Sequence, residues 1–518
     1  MKETKVKVIE YRGITLMSLV ITVIVLLILA GISIGMISGE KGILNKARKS
    51  KNSIDEATTL EYIKTSIAAS RTPDNDVSEQ TLQKELDKFF DKSEIIVVNE
   101  NDYMIKINDK IYNYSNGEVT SGYELKTSTN GIIEVSKDPK IVSSKIYGNS
   151  IQDGEPSPNS PVEIQSVGDL VTEGEYKDKY KIPVTVSGKN IFDIDAVSGN
   201  VIANGSVEEI NNGWKAKGSY GGSTNAAAFS NGWLRPGTSK GSIYISAGQK
   251  VTISADVKLI KASDNYKDNN NIRIYLYSTT NNNYTSNSQT FSSSNTTRVK
   301  QTYTVEVSGN YYPIFTLQDN ELEITNIQIE TGDKNTDFEA YQKPQVNNIY
   351  LDQPLRKVGD YADYIDLNNK KIIRNVKHIE FSGNEDWSKY VSVDKHYQFM
   401  VKDNKFSDST NLVLSNYYKA DKATGGYFSG KDYAVISVDG SRIRFKDKDI
   451  SSVDEWKAKL QTYFNNGNSL KTDYVLVSST EEDIDVDIPD MLNAIKGTKI
   501  LAINTQIQPD NIETTYYN

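Results

Sequence analysis

The strongest constraint on this chain is an uncharged run from Ile14 to Ile37, reading ITLMSLVITVIVLLILAGISIGMI. About 24 residues rising about 1.5 Å each span a hydrocarbon layer of about 30 Å. Its polar side chains are the hydroxyls of Thr15, Ser18, Thr22 and Ser33. These can bond back to the preceding helical turn, so lipid tolerates them. The run is too long for a secretory signal core, and no small-x-small cleavage site follows it directly. The sequence therefore predicts one N-terminal transmembrane α-helix. Mean hydropathy over the chain is −0.51, so membrane embedding is confined to this segment. Flanking charge does not orient it: Lys2, Lys5, Lys7 and Arg12 precede the helix, and Lys41, Lys46, Arg48, Lys49 and Lys51 follow it.

The remaining length, out of 518 residues, exceeds one ordinary core and calls for several domains. Net charge is −9 with both signs interspersed, which argues against a nucleic-acid partner. There is no cysteine, which removes disulfides, thiolate catalysis and cysteine metal sites. The two histidines, His378 and His396, are too few for a multi-histidine metal site. His378 lies in the alternating run NVKHIEF and reads as a strand side chain. Glu481-Glu482-Asp483, Asp485 and Asp487 could form a hydrolase pair or a calcium loop, but consecutive carboxylates read first as a solvated face. No glycine-rich phosphate loop, nucleophile elbow or HExxH occurs. The expectation is a protein that is not an enzyme, with no catalytic residues, cofactor or metal.

The residues around the apolar run carry a resemblance. MKETKVKVIEYRG is short, charged and ends in Gly13, and the join Arg12-Gly13-Ile14-Thr15-Leu16 resembles the prepilin leader of type IV pilins and pseudopilins. That resemblance implies cleavage by prepilin peptidase between Gly13 and Ile14, with Thr15 and Leu16 in the recognition sequence. It also implies a single-pass protein of a bacterial cytoplasmic membrane with its C-terminal region outside. In the family a glutamate five residues after the cut is thought to pair with a neighbouring subunit's amine. Here that position is Ser18, so the charge used to build long filaments is missing.

Helical spacing continues through Ile54, Ala57, Leu60, Ile63 and Ile67, and Arg71 to Asp76 breaks it. Ser78 can cap a second helix to about Phe90, with Leu82, Leu86 and Phe89 on one face. EIIVV, YMIKI and KIYNY then read as strands, the last two joined by a turn at Asn108-Asp109. After about Gly122 strands become short, polar and numerous. GNSIQDGEPSPNSPVEIQSVGDL (148–170), KIPVTVSGKNIFD (181–193), ITNIQIETGDKNTDFEAYQ (324–342), LRKVGDYADYIDLNNKKIIRNV (355–376) and FSGNEDWSKY (381–390) resemble tail and minor structural proteins of bacteriophages. That resemblance implies a jelly roll similar to carbohydrate-binding modules between Asn190 and about Gln342.

The predicted organisation is a leader (1–13), a transmembrane and pilin-like helix (14–70), a small α+β head (71–121), a β-rich connecting region (122–188), a jelly roll (189–345) and a C-terminal β-rich domain (346–518). The fold class is mainly β, with one or two helices in the last domain. Of these, Ser452 caps one, Glu455 completes a capping box, and Val453, Trp456, Leu460 and Phe464 form its apolar face.

Flat aromatic rings bind sugars because the sugar's axial C–H bonds present a poorly hydrated surface. Trp214, Tyr220, Trp233, Tyr275, Tyr277 and Tyr284 all fall in the jelly-roll region and are the candidate ligand-binding residues. The opposing expectation is that Trp214 and Trp233 are simply core, since aromatics favour sandwich interiors. If a platform exists, at least one of Trp214, Trp233, Tyr275 and Tyr277 is expected to be largely exposed. The sequence thus points to adhesion or recognition of a cell-surface glycan. Two alternatives stand beside it: a minor structural subunit of a pilus or pseudopilus, partnering other pilin-like subunits, and a prophage-derived tail-protein fusion.

Overall fold

A computed structural model describes residues 43–72, 77–91, 93–99, 102–108, 110–115, 118–133, 140–219, 232–237, 241–264, 271–278, 284–290, 295–391, 397–402, 412–421, 431–438, 442–486 and 488–517. The leader and the apolar run, including Gly13, Ile14, Thr15, Leu16 and Ser18, lie outside them, as does Tyr220. Among the described residues no helix is long and apolar enough to cross a membrane. The fold is mainly β and divides into two compact units, Met1–Leu125 and Lys126–Asn518.

In the first unit a long helix, Ile43–Ala69, buries Ile63 and Ile67 one turn apart. The second helix, Glu79–Leu86, buries Leu82 and Leu86. Ser78 precedes this helix without a side-chain cap bond, and Phe89 lies beyond its end, stacked on Tyr62 at 4.6 Å. Strands Ser93–Asn99, Asp102–Ile107, Lys110–Ser115 and Glu118–Glu124 form an antiparallel meander. Its central hairpin turns at Asn108, whose φ of 52° is a left-handed conformation that asparagine tolerates well.

The second unit is built on two antiparallel sheets sharing one core. Lys140–Tyr147 lies between Tyr364–Asp366 and Asn511–Tyr517 in a seven-stranded sheet. Tyr180–Gly188 pairs with both Gln345–Leu351 and Lys499–Ile503 in the other sheet. Ile146, Ile365 and Ile372 of the first sheet meet Ile182, Val184 and Leu501 of the second. The span 122–188, expected to be a connecting region, therefore supplies interior strands to sheets it shares with the C-terminal span. The reason is register: most partners of the strands at 140–147 and 180–188 lie far along the chain, with Ile146 opposite Ile365 and Ile512, and Val184 opposite Asn347 and Ile503.

Between Gly188 and Gln345 the chain leaves this base, builds a sandwich and returns, with Val186 opposite Gln345. One sandwich sheet contains Val201–Ala203, Trp233–Pro236, Gly309–Thr316, Asn271–Ser278 and Tyr284–Thr290, with Ile243–Ile245 also on Gly309–Thr316. The other orders Gly205–Ile210, Gly213–Gly218, Glu321–Thr331, Lys250–Lys261 and Thr297–Thr304. Leu234, Ile274 and Phe315 from the first pack on Val251, Ile253, Ile324 and Ile329 from the second.

A third core forms under the helix Val453–Asn465. Ser452 Oγ accepts the Glu455 N–H at 3.1 Å, while the Glu455 carboxylate accepts from the backbone N–H of Ser451 at 2.8 Å. Trp456 and Leu460 are buried, and Trp456 stacks on Phe399 at 4.9 Å. Phe464, placed on the apolar face from sequence, is instead exposed, and Tyr463 packs inward against Tyr417 at 4.2 Å. At about 100° per residue, seven positions return to within about 20° of Trp456, whereas eight overshoot by about 80°.

Candidate functional site

The candidate aromatics divide by strand parity. In Asn271–Ser278, Ile272, Ile274 and Leu276 enter the space between the sheets, so Arg273, Tyr275 and Tyr277 stand on the outward side. The same alternation puts Tyr312 and Ile314 outward in Gly309–Thr316, and Trp233 and Arg235 outward in Trp233–Pro236. Register then brings them together: Tyr277 lies opposite Tyr312, Tyr275 opposite Ile314, and Trp233 opposite Thr316.

Trp214 is not among them. It is 3% exposed and lies in the core between the two sheets. Tyr275 is on the outward side but only 1% exposed. Trp233 and Tyr277 are half-buried, so no member of the four is largely exposed, and the exposed platform expected from sequence is not found; what these strands present instead is a partly covered aromatic face. The side chain of Tyr284 lies outside the described residues. The structure thus assembles Trp233, Tyr275 and Tyr277 with two residues that sequence reading missed, Tyr312 and Arg235. Their signal was the alternation in WLRP and the adjacent aromatics of YYPIFT.

Arg235 organises this face. Its guanidinium lies 5.1 Å from the Trp233 ring centre and 5.7 Å from that of Tyr312. It donates through Nη1 to the Tyr312 hydroxyl at 3.2 Å and to the Pro236 carbonyl at 3.1 Å. Tyr277 and Tyr312 meet at 5.1 Å with planes tilted by 38°. Burial raises the Tyr312 phenol pKa, against the opposing pull of Arg235, so the phenol stays neutral. Among the described residues no carboxylate pairs with Arg235. The outward positions of the described strands flanking it hold Ile202, Tyr244, Arg273 and Thr316, none of them acidic. The face offers half-buried rings beside a guanidinium held by ring contacts, with no counter-ion among the described residues.

Other cavities lie elsewhere in the second unit, and two of them hold clustered charged groups. The larger, about 670 Å³, is lined by groups already paired with one another. Lys189 meets Glu339 at 3.0 Å, Thr498 donates to the same carboxylate, and Thr336 donates to Glu330. That pairing joins the inserted sandwich to the base sheets. The smaller, about 490 Å³, contains His378, Arg356 and Asp473.

The block LRKVGDYADYIDLNNKKIIRNV has a structural account. Asp363 is buried and accepts from the backbone N–H groups of Arg356, Asn375 and Val376 and from Arg374 Nη1 at 3.3 Å. Burial pushes its carboxyl pKa up, against these donors. No family model matches this chain and no curated protein matches it.

Proposed function

We propose that this chain is a surface recognition protein held in the membrane by a pilin-like N-terminal helix, and that its sandwich, read as a jelly roll, binds glycan outside the cell. The carrying observation is the outward cluster of Trp233, Tyr277 and Tyr312 around Arg235. Aromatic edges and faces beside a fixed donor suit a sugar, which has both C–H surfaces and hydroxyls. A shallow site of this kind binds weakly, about micromolar to millimolar, and display in many copies raises the effective affinity. The uncharged run at 14–37 and the join at Gly13-Ile14 support the anchor. The first unit, a long helix on a four-stranded meander, is also what a minimal pilin head requires. That favours, as a second reading, a minor subunit assembled with other pilin-like proteins.

The test is glycan-array binding by the full chain in detergent, compared with Trp233→Ala. Binding by the parent and its loss in the variant are expected. Silence of the parent across cell-wall and host glycans would remove the recognition reading and favour the subunit reading, which pull-down with pilin-like proteins then checks. Mass spectrometry of the mature protein should find Ile14 at the N-terminus, and Gly13→Val should block that cut. An intact Met1 terminus in the unmutated chain would refute the anchor as drawn.

A further inference from the structure

The smaller cavity lies in the base sheets, and none of its lining residues belongs to the sandwich face. Two neighbouring strands build its floor. Lys371–Phe381 and Leu470–Asp483 pair antiparallel with His378 opposite Asp473 and Glu380 opposite Lys471. His378 Nδ1 and Asp473 Oδ1 are 2.6 Å apart, and Arg356 Nε approaches the same oxygen at 3.4 Å. The Asp473 side chain is 1% exposed, and its Oδ2 has no hydrogen-bond partner among the described residues.

What is already paired in this cavity, and what is not, selects the ligand. When the ring is neutral, a carboxylate beside Nδ1 keeps the proton on that nitrogen, which leaves Nε2 as an acceptor. Nε2 has no hydrogen-bond partner among the described residues. Glu380 is exposed, and no cation pairs with it among those residues. The two fixed cations are engaged: Lys471 holds Glu163 at 2.9 Å, and Arg356 holds Asp473 and the Gln353 side-chain oxygen. Four carboxylates, Glu163, Asp169, Glu380 and Asp473, line the cavity against these two cations. The carboxylates outnumber the cations, and both cations already lie against carboxylates, so the cavity is negative in sign. An anion would be repelled by that excess, whereas a cation with several N–H bonds to give meets several acceptors. The neutral donors Gln165, Gln506 and Tyr180 line the remaining wall and suit hydroxyl groups.

We propose that this pocket binds a primary ammonium flanked by hydroxyls, the chemistry of a free amino sugar, with His378 Nε2 and the Glu380 carboxylate receiving the ammonium. The charge balance gives a second consequence. Protonating His378 turns Nε2 into a donor and adds a positive charge facing the ammonium. Asp473, Glu380, Glu163 and Asp169 soften that repulsion, and Lys471 and Arg356 add to it. Binding is accordingly weaker when the ring is charged.

The chain has two histidines, so ring-labelled histidine gives two sets of NMR signals, and His396→Gln identifies those of His378. The full chain in detergent is titrated with glucosamine and, separately, with N-acetylglucosamine, which has the hydroxyls but no ammonium. Glucosamine should move the His378 signals and leave those of His396 in place. N-acetylglucosamine should move neither. Glu380→Gln should weaken the glucosamine response at least tenfold while the unliganded His378 signals stay at their parent positions, which reports an intact floor. At a pH where the same spectrum shows the ring protonated, the response should fall by a similar factor. Equal shifts with both sugars, or none with glucosamine, would overturn the proposal. A shift unaffected by Glu380→Gln would overturn the assignment of the ammonium.

Discussion

The two outward faces of the inserted sandwich are opposites, although both sheets send the same kind of side chain inward. On the sheet containing Lys250–Lys261, outward charges meet partners: Lys258 with Glu323 at 3.3 Å, Lys215 with Glu321 at 3.1 Å, and Arg298 with Asp256 at 3.2 Å. Arg298 also reaches Ser254 Oγ and the Asn326 carbonyl. On the sheet containing Asn271–Ser278, rings surround an arginine that no described carboxylate neutralises. A shared core dictates one side of each strand and leaves the other side free. A ladder of paired charges is what solubility alone would put there. An aromatic face around a guanidinium that no described carboxylate neutralises is not, and so it is the side where a ligand is to be sought.

The sharpest break in this comparison is between two tryptophans. Trp214→Ala removes a ring packed between the sheets and should cost about 3–5 kcal/mol, read as a fall in urea midpoint. Binding, measured under conditions where the variant remains folded, should survive. Trp233→Ala should do the reverse. Its half-buried ring should cost about 1–2 kcal/mol, while glycan binding falls by at least about tenfold, equivalent to about 1.4 kcal/mol. If both variants lost stability equally and neither lost binding, the two faces would not differ in kind.

Tyr303→Phe sharpens the inner side. The Tyr303 hydroxyl donates to the Ile274 carbonyl inside the sandwich, and burial raises its phenol pKa so that it remains a donor. Removing it leaves a buried carbonyl short of a partner, at about 1–2 kcal/mol, with binding on the outer face unchanged. A thermal melt paired with the array measurement checks both halves. Loss of binding at unchanged stability would mean that the two sides of that sheet are coupled.

Much of this arrangement was legible as period and little of it as partnership. IRIYLYS alternates cleanly, and its outward set, Arg273, Tyr275 and Tyr277, can be read once Ile272 and Ile274 are taken as core. Trp214 and Trp233 could not be sorted the same way, because each sits in a short strand whose inward side depends on its neighbours. The Ser452 cap was legible because a cap is local. Phe464 was misplaced because a helical face drifts over two turns. His378 was correctly read as a strand residue, but its partner Asp473 lies 95 positions away. Cross-strand pairing at that distance leaves no local pattern, and for the same reason strands in the span 122–188 could not be assigned to the sheets they complete.

The smallest effect belongs to the paired-charge face, and it decides whether that face is as inert as it looks. Lys258 and Glu323 face solvent, with side chains 51% and 30% exposed. Water screens such a pair and two long side chains lose freedom to form it, so a double-mutant cycle with Lys258→Ala and Glu323→Ala should give about 0.2–1 kcal/mol. Raising salt from about 0.1 M to about 1 M shortens the screening length from about 10 Å to about 3 Å, and most of the coupling should vanish. Neither variant should alter glycan binding. Arg235→Gln on the opposite face, also a loss of one positive charge, should weaken it, because it removes a donor and a cation held against Trp233 and Tyr312. Each change removes one positive charge from the same sandwich, so net charge cannot explain a difference between them. If Lys258→Ala weakened binding as much as Arg235→Gln, long-range attraction rather than the aromatic face would be holding the ligand.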